Sequence, residues 1–302
     1  MRIVGIGDSV MHGETMAAYG NEGWRDDTIT SQLERRFVAD DPSRQVAALN
    51  LGLNGAVPGD YERIVSLALT AKPALIVMNV SMRSFSADFN ADAEFMSRDW
   101  LLDFEIEQDG SFIDTRYRDQ PLSVEGRLTA LLVNNWYTYR YRDVLQQLLL
   151  GGRPREAMTR LLKSIDATLT GEAPALPAGD DMLTLLKSKQ RYASIRLDDT
   201  NRQLASLARA IERARKEGVP VVLVYGRENP SMIFDVIERP AYEKNLADFA
   251  VFVDRFRGEG FAYVPPIADI PVERYLDLVH VDSEAYAIYV DRIFDAAQPL
   301  LR

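Results

Sequence analysis

The chain has 302 residues, of which 47% are hydrophobic and 26% charged, enough apolar material for a sizeable core at the upper edge of single-domain size. Its net charge of −10 argues against nucleic acid as the main partner, because phosphate binding needs clustered Lys and Arg, and against broad adhesion to anionic membranes. It contains no cysteine, which removes disulfides, thiolate metal sites and cysteine nucleophiles together.

The first apolar run, RIVGIG (residues 2–7), is β-branched and glycine-ended and predicts a short buried strand. The segment DDTITSQLERRF (26–37) spaces Ile29, Leu33 and Phe37 four apart and predicts an amphipathic helix. QVAALNLGLNG (45–55) reads as a second strand, GDYERIVSLALTAK (59–72) as a helix presenting Tyr61, Ile64, Val65 and Ala68, and PALIVMNVS (73–81) as a third strand. Strand and helix alternate, the pattern of a parallel sheet.

Residues 86–199 break this pattern with helical stretches and polar loops, including the Pro/Gly/Ala-rich connection TGEAPALPAGDD (170–181). We read them as a helical insertion between strands three and four, a lid or cap over the sheet edge. Alternation resumes with a helix in 198–218, carrying Leu204, Leu207, Ala208, Ile211 and Ala214, followed by the strand VPVVLVYG (219–226). A helix in 242–260, a strand at FAYVPP (261–266) and a last helix at DSEAYAIYVDRIFDAA (282–297) complete the chain. The expected fold is one α/β domain over 1–302, a three-layer α/β/α sandwich with a five-stranded parallel sheet of flavodoxin-like type.

Ligands of open parallel sheets gather at the carboxyl ends of the strands. Those ends carry Gly7, Asp8 and Ser9 after strand one, Gly52, Asn54 and Gly55 after strand two, Asn79, Ser81 and Arg83 after strand three, and Gly226, Arg227 and Glu228 after strand four. Asp277 and His280 precede the last helix. A serine, a histidine and an aspartate at one sheet edge are the inventory of acyl-transfer catalysis. A serine hydroxyl attacks only when a base takes its proton, which His280 can do near neutral pH, and Asp277 can hold the imidazole in the required tautomer. Backbone N–H groups at the glycine turns, with the Asn79 amide, supply donors to an oxyanion. Only His12 and His280 exist, so the base is one of the two. Asp8, His12 and Arg83 are the remaining candidates for substrate contact. Each also has a plainer reading: Asp8 as a turn former through its side chain, His12 as a packing residue, and Arg83 as the partner of a buried carboxylate. Trp136, Tyr137, Tyr139 and Tyr141 within NNWYTYRYRD (134–143) either stack on sugar rings or form the packed face of a helix. No metal-ligand spacing and no phosphate-cradling glycine loop is present, so neither a metal nor a cofactor is expected.

Three blocks, GIGDSVMHG, LNLGLNGAVPGD and Asp277-Leu278-Val279-His280, resemble the SGNH, or GDSL-type, hydrolase superfamily in type and order, over residues 1–85 and 200–302. The resemblance implies that Ser9 is the nucleophile, that Asp277 and His280 complete a triad, and that Ser9, Gly55 and Asn79 form the oxyanion hole. The third block departs: where the family shows Gly-x-Asn-Asp, this chain has VMNVSMRSF. That departure and the helical insertion look like the envelope branch of the superfamily, whose members acylate or deacylate polysaccharides. The implied function is a serine-dependent esterase or O-acyltransferase on a small-molecule or polysaccharide ester, in the periplasm or cell envelope. Two alternatives stand beside it: a catalytically idle module that binds glycan or a partner, and a cytosolic lipase or thioesterase. No signal peptide is visible, no apolar run reaches the ~18 residues of a membrane span, and the chain enters its first strand at residue 2 or 3. Such a start is compatible with a chain cut from a longer protein that has an N-terminal anchor or a membrane-associated partner.

Overall fold

The computed structural model describes residues 1–90 and 178–301. The aromatic stretch 134–143 and most of the insertion read at 86–199 lie outside these residues. The chain divides into two compact units, one made of Met1–Asn90 with Lys189–Arg302 and the other of Ala91–Ser188.

In the first unit five parallel strands form one sheet: β1 (Arg2–Ile6), β2 (Ala47–Asn50), β3 (Leu75–Val80), β4 (Val221–Tyr225) and β5 (Phe261–Val264), in the order β2-β1-β3-β4-β5. This is the flavodoxin-like order, so the fold is the expected α/β sandwich. β3 and β4 are buried along their whole length and β1 beyond its first residue. Central parallel strands are covered on both faces, which is why these segments read as continuous apolar runs. β2 forms one edge of the sheet and is mostly exposed, so its sequence is more mixed.

Helices α1 (Ser9–His12), α2 (Thr15–Ala18), α3 (Ile29–Asp40), α4 (Pro58–Thr70), α5 (Ala178–Ala193), α6 (Arg202–Lys216), α7 (Arg239–Asp254) and α8 (Ser283–Ala297) follow in chain order. α3 and α8 pack together on one face, where Ile29, Leu33 and Phe37 meet Tyr286, Tyr289, Ile293 and Phe294 in one core with Ile3, Leu75, Val77, Val222 and Val224. The Phe37 and Phe294 rings cross edge-to-face at 4.7 Å. α4 packs against α6 and contacts β1, and α6 contacts β4. The one-turn helices α1 and α2 leave no periodic signal in sequence. α1 exists because Asp8 caps it, accepting the Val10 N–H at 2.9 Å, and because Gly13 ends it at φ +84°. No helix among the described residues is long and apolar enough to cross a membrane.

Candidate active site

Strand order places the site. The chain leaves β1 for β2 on one side and then returns to β3 on the other, so the winding reverses between β1 and β3. At such a switch point the loops after the two strands diverge and leave a crevice at their carboxyl ends. Ser9 follows β1 there, and Arg83 follows β3 in a 3₁₀ turn, Met82–Phe85.

The third arm comes from the other end of the chain. Residues 275–281 form a tight loop closed by the Leu276 N–H donating to the His280 carbonyl at 2.8 Å and by a bridge between Tyr275 and Val281. Asn229, past β4, fastens this loop: its N–H donates to the Leu278 carbonyl at 2.8 Å and its Nδ2 to the Asp277 carbonyl at 3.3 Å. Asp282 then caps α8 through the Ala285 N–H at 2.9 Å, and the Tyr286 hydroxyl donates to the Val10 carbonyl at 2.8 Å, pinning α8 to α1.

Within this frame Ser9 Oγ lies 2.7 Å from His280 Nε2, and His280 Nδ1 lies 2.7 Å from Asp277 Oδ2. The other Asp277 oxygen accepts the N–H groups of Val279 and His280, both at 2.8 Å. Burial pushes the Asp277 carboxyl up, but the hydrogen bond and charge of His280 with these two N–H groups outweigh it and hold the group below its ordinary value. An ionised Asp277 can only accept, so Nδ1 carries its proton toward Asp277 and Nε2 is left to accept the Ser9 hydroxyl proton. Ser9 and His280 are both 9% exposed, enclosed yet not sealed.

Asp8 is 1% exposed. Besides capping α1, it accepts from Ser81 Oγ at 3.3 Å and from Arg83 Nη2 at 3.1 Å. The same Arg83 nitrogen donates to Ser9 Oγ at 3.1 Å. Burial works against the guanidinium charge, and Asp8 beside it more than restores it, so Arg83 is held cationic.

Beside Ser9 opens a cavity of about 600 Å³, lined by Asp8, Asn54, Gly55, Arg83, Phe89 and Arg191 together with the short apolar side chains of Ala17, Ala18, Ala56 and Val57. Gly55 sits at φ +71°, a left-handed conformation that favours glycine. Arg191 stacks over the Phe89 ring at 4.9 Å. The N–H groups of Ser9 and Gly55 make no hydrogen bond among the described residues.

Two expected contributors lie elsewhere. Asn79 is inside β3, paired in register with Val224, and is 0% exposed. Strand alternation puts it on the same face as Leu75 and Val77, which belong to the core, so its carboxamide does not line the cavity. It sits between Gly7 and Gly226, with neither polar atom hydrogen-bonded among the described residues. His12 is also removed from the cavity lining: its Nδ1 lies 3.0 Å from the Gly52 carbonyl, its Nε2 3.4 Å from Glu14, and its ring tilts against Trp24 at 5.6 Å.

Glu228, named in the sequence only as the end of strand four, takes a structural role. Its carboxyl is 0% exposed and accepts from Tyr242 at 2.7 Å, Tyr225 at 2.9 Å, Tyr192 at 3.2 Å and the Met82 N–H at 3.1 Å. The last bond fixes the turn that carries Arg83. A glutamate just past a buried strand was the available signal. No cluster of three or more His, Cys, Asp or Glu side chains that could hold a metal occurs among the described residues.

No family model matches the chain, and no curated protein matches it. Among solved structures, it is similar to TesA, at 14% identity over 99% of both chains with a TM-score of 0.46. It is similar to a lipolytic protein of the G-D-S-L family from Desulfitobacterium hafniense, at 10% identity over 98% of both chains with a TM-score of 0.44. It is also similar to a catalytic mutant of Axe2, an acetylxylan esterase from Geobacillus stearothermophilus, at 10% identity over 98% of this chain and 94% of that one, with a TM-score of 0.45.

Proposed function

We propose that the protein is a serine-dependent ester hydrolase or acyl-transfer enzyme that acts on short acyl esters of a polar alcohol, with an O-acylated carbohydrate as the favoured substrate. The observation that carries this reading is the unbroken hydrogen-bonded chain Asp277–His280–Ser9, with both links at 2.7 Å. Ser9 Oγ attacks the ester carbonyl carbon while its proton passes to His280 Nε2. The carbonyl π pair moves onto oxygen, for which the Ser9 and Gly55 N–H groups are the proposed backbone donors. Collapse breaks the bond to the alcohol, which leaves with the proton held by His280. Water, or a sugar hydroxyl, then takes the acyl group by the reverse sequence. Asp277 stays ionised throughout and steadies the imidazolium.

The cavity supports the substrate class. Apart from Phe89, its apolar lining is made of Ala17, Ala18, Ala56 and Val57, short side chains that suit a short acyl group. Asn54, Thr15 and Arg191 supply polar edges for a hydroxylated alcohol. The test is a fluorophosphonate probe followed by intact mass, beside turnover of p-nitrophenyl acetate. One adduct, absent from Ser9→Ala, is expected, with acetyl esters turned over faster than octanoyl esters. No adduct under conditions that label a control esterase would leave a catalytically idle binding module as the better reading.

A further inference from the structure

The geometry points to Arg83 as a catalytic residue of this site, a cationic oxyanion donor standing where a side-chain carboxamide was expected. The inference rests on the reading of Ser9 as a nucleophile.

Three observations carry it. Arg83 Nη2 divides its two hydrogens between Asp8 Oδ2 and Ser9 Oγ, at 3.1 Å each. The remaining N–H groups of its guanidinium, on Nη1 and Nε, make no hydrogen bond among the described residues, and the side chain lines the cavity beside Ser9. The only carboxamide on β3, that of Asn79, is buried in the core. A group that merely neutralised Asp8 would have no need of the second contact, to the reacting oxygen itself.

The chemistry follows from where charge moves. In the resting site Ser9 Oγ donates to His280 and accepts from Arg83. During attack a lone pair of Oγ becomes the new O–C bond, so Oγ turns into a poor acceptor and releases the Arg83 N–H. At the same moment the carbonyl π pair becomes a full negative charge on an oxygen attached to the same carbon, one bond angle from Oγ. A guanidinium already within hydrogen-bond distance of Oγ can follow that charge with little movement. Its N⁺–H bond to an oxyanion is charged on both sides, where a neutral amide donor leaves the charge on the acceptor alone. Asp8 is then a positioning residue: it caps α1 with one oxygen and holds Arg83 with the other, so nucleophile and donor are set by one carboxylate.

The experiment compares wild type with Arg83→Met, Arg83→Lys and the double variant Asp8→Asn/Arg83→Met, on p-nitrophenyl acetate and on the anionic mono-p-nitrophenyl succinate, with melting temperature and the rate of fluorophosphonate labelling at Ser9. The double variant removes both members of the ion pair, so folding does not depend on a buried unpaired carboxylate. Loss of an oxyanion donor costs about 10²–10³ in kcat. That loss is expected in Arg83→Met and in the double variant, on both esters, with KM little changed and partial recovery in Arg83→Lys. A folded variant with near-normal kcat on the neutral ester would overturn the inference while leaving Ser9 labelling intact. A loss confined to KM for the anionic ester would overturn it in favour of an anion anchor for substrate. No labelling of wild type at Ser9 would overturn both this inference and the proposed function.

Discussion

Ser9 Oγ and His280 Nε2 are 2.7 Å apart although 271 residues separate them in the chain. Nothing local holds that distance. It depends on α1 being capped by Asp8, on α8 being pinned to α1 through Tyr286, and on Asn229 clamping the loop of Asp277.

The two histidines therefore behave differently on substitution. His280→Ala and Ser9→Ala should each lower kcat by about 10⁴-fold or more, since members of a triad act as a unit. His12→Ala should stay close to wild type, because its contacts run to Gly52, Glu14 and Trp24. Steady-state turnover of a chromogenic acetate ester checks this. Equal losses at the two histidines would contradict the assignment of the base.

Gly52 links the second block to the helix that begins at Ser9 by sheer proximity. A Cβ added there would lie 2.5 Å from the His12 nitrogen and 2.8 Å from the Met11 carbonyl carbon. Both are backbone atoms, so no rotamer change relieves the clash, and α1 has to move. Gly52→Ala should cost about 1–3 kcal/mol or more by overpacking and lower kcat as well, because the shifted helix begins at Ser9. Urea denaturation with turnover on the same preparation checks both. A fully stable, fully active variant would mean that α1 is free to adjust.

The sheet was legible in the sequence for a simple reason. β1, β3 and β4 are covered on both faces, so each is apolar but for the exposed Arg2 and the buried Asn79, and each is followed by glycine or serine. The Asp277–His280 pair was legible because an i,i+3 spacing in a short loop suffices to bring the carboxylate to the imidazole. What single-strand patterns did not show was which side chain after β3 hydrogen-bonds to Ser9. Counting from the apolar run nominated Asn79, but β3 continues through Val80, so Asn79 obeys strand alternation and points into the core. The residue that reaches Ser9 lies in the turn four positions later and has a side chain long enough to cross from β3 to β1. That crossing is a matter of sheet order, which single-strand patterns do not contain.

Glu228 makes stability depend on pH in a definite direction. Burial raises its carboxyl above the usual range, against the hydrogen bonds that it accepts. A folded-state value above the unfolded one contributes stability in full below the unfolded value, about 4.3, and loses it as pH rises through the folded value. Wild type should therefore lose melting temperature relative to Glu228→Gln between pH 4 and pH 8, since the glutamine does not titrate. The surrounding Tyr192, Tyr225 and Tyr242 hydroxyls are themselves raised by burial and remain protonated over that range. Thermal scans of both proteins at the two pH values decide; a difference that does not change with pH would mean that the carboxyl titrates normally.

Asn79 offers the sharpest separation between packing and chemistry. Its carboxamide is wholly buried and makes no hydrogen bond among the described residues, while a Cβ on Gly226 would come within 3.1 Å of its Nδ2. A buried amide without partners carries an uncompensated desolvation penalty of about 1–3 kcal/mol. Leucine has nearly the same branched shape and no polar atoms, and its neighbours on that face of β3, Leu75 and Val77, already belong to the core. Asn79→Leu should therefore raise the melting temperature and leave kcat within about twofold of wild type, since no transition-state bond is removed. A fall in kcat of about 10²–10³ with unchanged stability would mean that the carboxamide reaches the reacting carbonyl after all, and that Arg83 serves Asp8 alone. Measured beside Arg83→Met, the two variants should move opposite quantities: stability at Asn79, turnover at Arg83.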